Sequence, residues 1–219
     1  MWPFARRRMI ISSADDAIAE ANKFSQHNKW RKAYDVYNEA IRQLSLSATP
    51  SRGLARLYYG RALMARNIGS DARNSGNRVA SEDWYGKSHQ NYDLALERDP
   101  SDWRPWFSKA NLFAKDQSQF REALPYYDKA AELNPQDAGI FNNRGLTNVA
   151  LGDIDAALRD FKTAITVDPS DADAYSNIGT ILYDQGRFRE AAEWYEKAAT
   201  LNPLDPEYRQ YLESARKSM

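Results

Sequence analysis

Four prolines, Pro100, Pro135, Pro169 and Pro203, stand 35, 34 and 34 residues apart. Each closes the same kind of phrase: "LERDPSDWRPW", "AELNPQDAGIF", "ITVDPSDADAY" and "ATLNPLDPEYR". A period of this size marks stacked supersecondary units, none of which can bury its apolar face alone. It restricts the chain to a repeat architecture before any local motif is considered.

The unit from Ala138 to Asp171 shows the content of one period. Ile140, Phe141, Gly145 and Leu146 mark a first helix, "LGD" at Leu151 to Asp153 breaks it, and Ile154, Ala157, Leu158, Phe161, Ala164 and Ile165 mark a second. Their spacing of three and four defines one apolar stripe. Pro169 ends the unit because the residue before a proline avoids helical dihedrals. Ser170 and Asp171 are then placed to cap the next helix. In the unit from Ala172 to Asp205, Gly179, Gly186, Ala191, Tyr195 and Ala198 fall on Gly145, Gly152, Ala157, Phe161 and Ala164. Trp103 to Asp137 fits with one extra residue near Ser118, with Ala110, Ala123, Tyr127 and Ala130 in those places. Ala14 to Ser47 supplies Ala33, Tyr37 and Ala40. Gly53 to Asp102 supplies Gly60, Tyr85, Ser88, Tyr92 and Ala95 once about 16 residues are inserted between its helices, an offset read from the 34-residue period.

With small residues at close helix contacts and an aromatic in each gap, the chain resembles the tetratricopeptide repeat family. The matching elements are the small residue at the eighth position, alanine at the twentieth and twenty-seventh, the aromatic at the twenty-fourth and proline at the thirty-second. The resemblance implies an all-α, right-handed solenoid of about five antiparallel helix pairs over residues 14–205 (14–47, 53–102, 103–137, 138–171 and 172–205). Residues 206–219 read as a capping helix. Arg56, Ser88 and Asn148 depart from the pattern. The stretch Asn67 to Ser81, rich in Gly, Ser, Asn and Arg, reads as a flexible inserted loop. Pro125, early in a second helix, predicts a slight kink.

Thirty basic residues balance thirty acidic ones, which removes the global electrostatic case for nucleic acid. The absence of cysteine excludes a disulfide framework and thiolate chemistry. His27 and His89 lack partners at metal-ligand spacing, and carboxylate pairs such as Asp153–Asp155 sit at helix starts, where the helix dipole favours them. The reading is a non-enzymatic protein without a cofactor or metal, whose function lies on its surfaces.

In the resembled family the first helices line a concave groove that binds peptides. Carried onto this chain, the groove positions are Arg104, Phe107, Ser108, Asn111 and Lys115, then Asn142, Asn143 and Leu146, then Asp173, Ser176, Asn177, Thr180 and Tyr183. Asn143 and Asn177 lie one period apart, so the pattern predicts stacked carboxamides, each offering a donor and an acceptor to a peptide backbone. The cations of the family's chaperone-tail clamp are missing, since Asp173 and Asn177 stand in two of their places. The expected function is therefore a cytoplasmic interaction scaffold or assembly factor whose partner is another protein or a peptide segment. The N-terminal "MWPFARRRMII" suggests an alternative. Met9, Ile10 and Ile11 would cover the first helix pair, while Trp2, Phe4, Arg6, Arg7 and Arg8 would dock on a membrane surface or a partner subunit. The protein would then be a peripheral or extrinsic subunit of a larger complex.

Overall fold

A computed structural model describes residues 12–46 and 51–219. Among these residues the fold is all-α, with eleven α-helices and no strand. They are α1 (Ala14–Ser25), α2 (Trp30–Leu44), α3 (Ser51–Asn74), α4 (Arg78–Arg98), α5 (Trp103–Asn111), α6 (Phe120–Leu133), α7 (Ala138–Leu151), α8 (Ile154–Val167), α9 (Ala172–Asp184), α10 (Phe188–Leu201) and α11 (Pro206–Lys217). The chain divides into two compact units after Lys109.

The turns fix the repeat. Asn28, Gly76, Ser118, Gly152 and Gly186 all have positive φ, between 55° and 81°. Each stands two residues before the helix that follows, which begins at Trp30, Arg78, Phe120, Ile154 or Phe188. At Gly152 the left-handed residue lets Asp153 N donate to Asn148 O at 2.9 Å, closing the last turn of α7 as a C-terminal cap. The equivalent bonds, Lys29 N to Phe24 O, Asn77 N to Ala72 O and Arg187 N to Leu182 O, span the same interval, whereas Gln119 N reaches Phe113 O, one residue further back. That added residue is taken up by a π-helical turn at Leu112–Asp116, in which Gln117 N bonds Leu112 O at 3.2 Å. A π turn absorbs one residue without breaking the helix, which accounts for the 35-residue period.

Within each unit the small–aromatic contacts hold neighbouring helices together. In the second unit a Cβ on Gly145 would meet Phe161 of α8 at 2.7 Å, and one on Gly179 would meet Tyr195 of α10 at 2.8 Å. Ala123, Ala157 and Ala191 are wholly buried. Around Phe161, Ile178, Ile181, Leu182 and Tyr195 runs a continuous apolar core, which also takes in Ala215 of α11. Pro125 is accommodated inside α6, which runs unbroken from Phe120 to Leu133.

The first unit corrects two expectations. Residues 67–81 are not a loop: α3 and α4 extend through them and turn at Ser75–Asn77. Ala65, Ile68, Gly69, Ser81 and Tyr85 are buried there, so a sparse apolar face with helical spacing outweighs the polar composition. The place of Gly60 also changes. A Cβ on Gly60 would strike the ring of Tyr37 on α2, while a Cβ on Gly69 would meet Tyr85 on α4 at 2.7 Å. Gly69–Tyr85 thus repeats the interval of Gly145–Phe161, and Ala62–Tyr92 repeats it with seven more residues in each helix. Seven residues are close to two helical turns, so lengthening both helices equally returns the same faces to contact. Ser88, at an alanine position, is wholly buried and donates to Ala62 O at 2.9 Å. Arg56 is exposed and pairs with Asp15 at 2.7 Å.

Candidate functional site

Asparagines crowd one face of the second unit. Tyr127 Oη donates to Asn111 Oδ1 at 2.8 Å, and Asn143 Nδ2 donates to the same oxygen at 3.2 Å. Further along, Asn177 Nδ2 donates to Asn142 Oδ1 at 2.9 Å. The carboxamides thus pair across neighbouring first helices, Asn111 with Asn143 and Asn142 with Asn177. A carboxamide carries two N–H donors and two acceptor lone pairs. Each pair uses one N–H of its second member, and the Oδ1 atoms of Asn143 and Asn177 accept no hydrogen bond from the described residues.

Beside Asn177 lies an apolar cavity of about 180 Å³ lined by Leu146, Val149, Ile154, Phe161 and Ile181, with Thr180 and Asp184 on its polar side. Leu146 and Val149 of α7 are 41% and 37% exposed. Val149, Ile154 and Ile181 escaped the sequence reading because each also fits a core stripe. The surface thus joins a solvent-accessible amide edge to an apolar hollow.

The other sequence-assigned positions have contacts of their own. Arg104 and Phe107 belong to the first unit, where Arg104 forms a two-point ion pair with Asp102 (2.8 Å each) and Phe107 packs against Trp103. Tyr183 is held at the end of the chain, edge-on to Phe188 at 5.1 Å with its hydroxyl 3.2 Å from Ser218 Oγ. Asp173 accepts from Tyr208 Oη of α11 at 2.6 Å. Burial, reinforced by Asp173, pushes the Tyr208 hydroxyl well up, so it remains a donor. Trp2, Phe4, Arg6, Arg7 and Arg8 lie outside the described residues.

Asn148, an unexpected polar residue in α7, has a structural partner. Its Nδ2 donates to Asp160 Oδ2 at 3.0 Å. Asp160, on α8 and 5% exposed, also receives Arg144 Nη2 at 2.6 Å, and Arg144 Nη1 reaches Asp128 of α6 at 2.7 Å. Among the described residues no group of three acidic or histidine side chains could hold a metal ion, and no helix is long and apolar enough to cross a membrane.

The tetratricopeptide repeat model matches residues 78–138 and 142–206. These spans make up more than half of the chain, which belongs to the tetratricopeptide repeat family. Solved structures agree on the fold. YrrB, a TPR protein with an unusual peptide-binding site, is 23% identical and aligns over 93% of this chain and 92% of its own at TM-score 0.64. MamA from Desulfovibrio magneticus RS-1 is 16% identical, over 89% and 98%, at TM-score 0.68. PilW, a type IV pilus biogenesis factor, is 13% identical, over 95% and 87%, at TM-score 0.69. At these identities the likeness is one of architecture. No curated protein sequence matches the chain.

Proposed function

We propose that this protein is a non-enzymatic interaction scaffold that receives an extended segment of a partner protein on the α7/α9 face of its second unit. The observation that carries the reading is a pair of solvent-accessible carboxamide oxygens, of Asn143 and Asn177, on a face where Asn177 also lines an apolar cavity. Carboxamides hold a peptide backbone without regard to its side chains, and the cavity adds one apolar anchor. First helices of adjacent repeats pack roughly 10 Å apart, and an extended chain advances ~3.3 Å per residue. A bound segment therefore runs at about three residues per repeat. The family membership and the peptide-binding site of YrrB are consistent with this use of the fold.

Selection from a random-peptide display library tests it. Selected peptides are expected to share one aliphatic position and little else. The double variant Asn143→Ala, Asn177→Ala should weaken peptides of unrelated sequence alike, by at least about tenfold, the ~1.4 kcal/mol equivalent of two lost hydrogen bonds. Unchanged affinity for all of them would place binding on another surface.

A further inference from the structure

One position recurs with a cation in three repeats. Arg144 precedes Gly145, Lys109 precedes Ala110 and Arg61 precedes Ala62. In two of them the chain supplies the counter-charge. Arg144 is paired with Asp160 and Asp128, and Lys109 with Asp93. At the third, Arg61 lies between α2 and α4 and donates to the amide oxygens of Asn38 (2.8 Å) and Asn91 (2.6 Å). The places correspond. Asn38 follows Tyr37 as Asp128 follows Tyr127 and Asp93 follows Tyr92, and Asn91 precedes Tyr92 as Asp160 precedes Phe161. The cradle is the same, with both carboxylates replaced by neutral amides.

Arg61 is half-buried, and burial pulls its guanidinium below its ordinary pKa. Its charge lies 5.1 Å from the centre of the Tyr58 ring and 6.0 Å from that of Tyr34, and no carboxylate pairs with it among the described residues. Nη2 makes no hydrogen bond within the described structure. Trp84 meets Tyr34 edge-on at 5.1 Å and carries the exposed Arg31 at 5.3 Å. Lys87 and Arg98 stand nearby but have acidic neighbours, Asp83 at 2.6 Å and Glu97 at 3.8 Å. The surface therefore offers two uncompensated guanidinium groups, Arg31 and Arg61, among three aromatic rings.

We propose that the Arg61 cradle between α2 and α4 is a second binding site, which takes a glutamate or aspartate side chain from an acidic segment of a partner protein. The sibling repeats identify the occupant's chemistry, because at Arg144 and Lys109 this cation is balanced by carboxylates, where Asn38 and Asn91 leave Arg61 with hydrogen bonds but no counter-charge. The planar guanidinium fork matches a carboxylate in two-point contact, and the rings accept the methylenes that carry it. The site is independent of the α7/α9 face and stands or falls separately from it.

The test follows the Arg61 Nε–H resonance of the full chain, identified by its absence in Arg61→Gln, during titration with a hexaglutamate peptide. The resonance should shift saturably with hexaglutamate, with an apparent affinity that falls as salt rises, and should stay put with hexaglutamine. A folded Asn38→Asp, Asn91→Asp variant restores the internal carboxylates and should weaken the response at least tenfold while melting no lower than wild type. No shift in the wild type, or the same midpoint in the aspartate variant, would overturn the proposal. Inorganic phosphate moving the resonance at lower concentration than hexaglutamate would overturn the assignment of a carboxylate.

Discussion

The ring of Phe161 occupies the space where a side chain on Gly145 would begin, since a Cβ there would stand 2.7 Å from Cε1. Both residues are buried in the second unit, so neither can swing into solvent. Gly145→Ala gains about 1 kcal/mol of helix propensity but overpacks at a cost of about 1–3 kcal/mol, and a net loss is expected. Gly86, inside α4, has nothing within 4 Å of an added Cβ, so Gly86→Ala should stabilise by up to ~1 kcal/mol. Chemical denaturation of the two variants should give opposite signs. Equal signs would contradict the helix approach drawn at Gly145.

Asp160 joins α6, α7 and α8 through Arg144. Removing it with Asp160→Ala leaves Arg144 with Asp128, an exposed carboxylate, as its remaining partner and deprives Asn148 of its acceptor. Breaking one side of a buried pair costs about 3–5 kcal/mol. Urea unfolding is the measurement, and a loss under ~1 kcal/mol, the range of an exposed pair, would show that solvent already reaches the site.

The extended α3–α4 hairpin should behave as core. Ile68 is 5% exposed, and Ile68→Ala is expected to cost about 2–5 kcal/mol. Limited proteolysis of the native chain should spare residues 68–81. Early cleavage there, or a neutral Ile68→Ala, would return the segment to the loop that its composition suggests.

Asp171 caps α9 by accepting from Ala174 N at 3.1 Å. Burial raises its carboxyl above the ordinary value, with Asp173 and Asp168 adding like charge. A raised carboxyl binds its proton more tightly folded than unfolded, so its contribution is favourable when protonated and is lost as pH rises through the carboxylate range. Asp171→Asn keeps a good cap without the charge. The variant should melt higher at pH 7, and the advantage should shrink as pH falls through the carboxylate range, where Asp171 takes up its proton and both side chains are neutral. A constant difference across that range would contradict the assignment.

The turns at Gly152 and Gly186, the alanines and most aromatics were legible because a 34-residue period repeats them, and repetition reveals a contact that a single copy would hide. The first unit was read less well. Gly60 matches the small position by residue type, yet it faces Tyr37 of α2, while Gly69 faces Tyr85 and the Ala62 carbonyl receives Ser88. Gly, Ser and Asn at residues 67–81 argued for a loop through composition, while the buried Ile68, Gly69 and Tyr85 carried a weaker periodic signal that composition masked. The asparagines are legible, but their pairing with one another is not, because it depends on side-chain rotamers that a period does not carry. Arg61 was passed over altogether. Its meaning comes from what Asn38 and Asn91 are not, which is clear only beside Asp128 and Asp160.

The central claim, that carboxamides on the α7/α9 face hold a partner's backbone, is tested most directly at the side chains themselves. The Nδ2–H₂ resonances of Asn142, Asn143 and Asn177, each assigned by its own Asn→Ala variant, can be followed while a display-selected peptide is titrated into the full chain. The account predicts that the Asn143 and Asn177 signals shift with the same midpoint as binding, and that the Leu146 and Val149 methyl signals beside the cavity move with them. Saturated binding that leaves all of these resonances unmoved would contradict it.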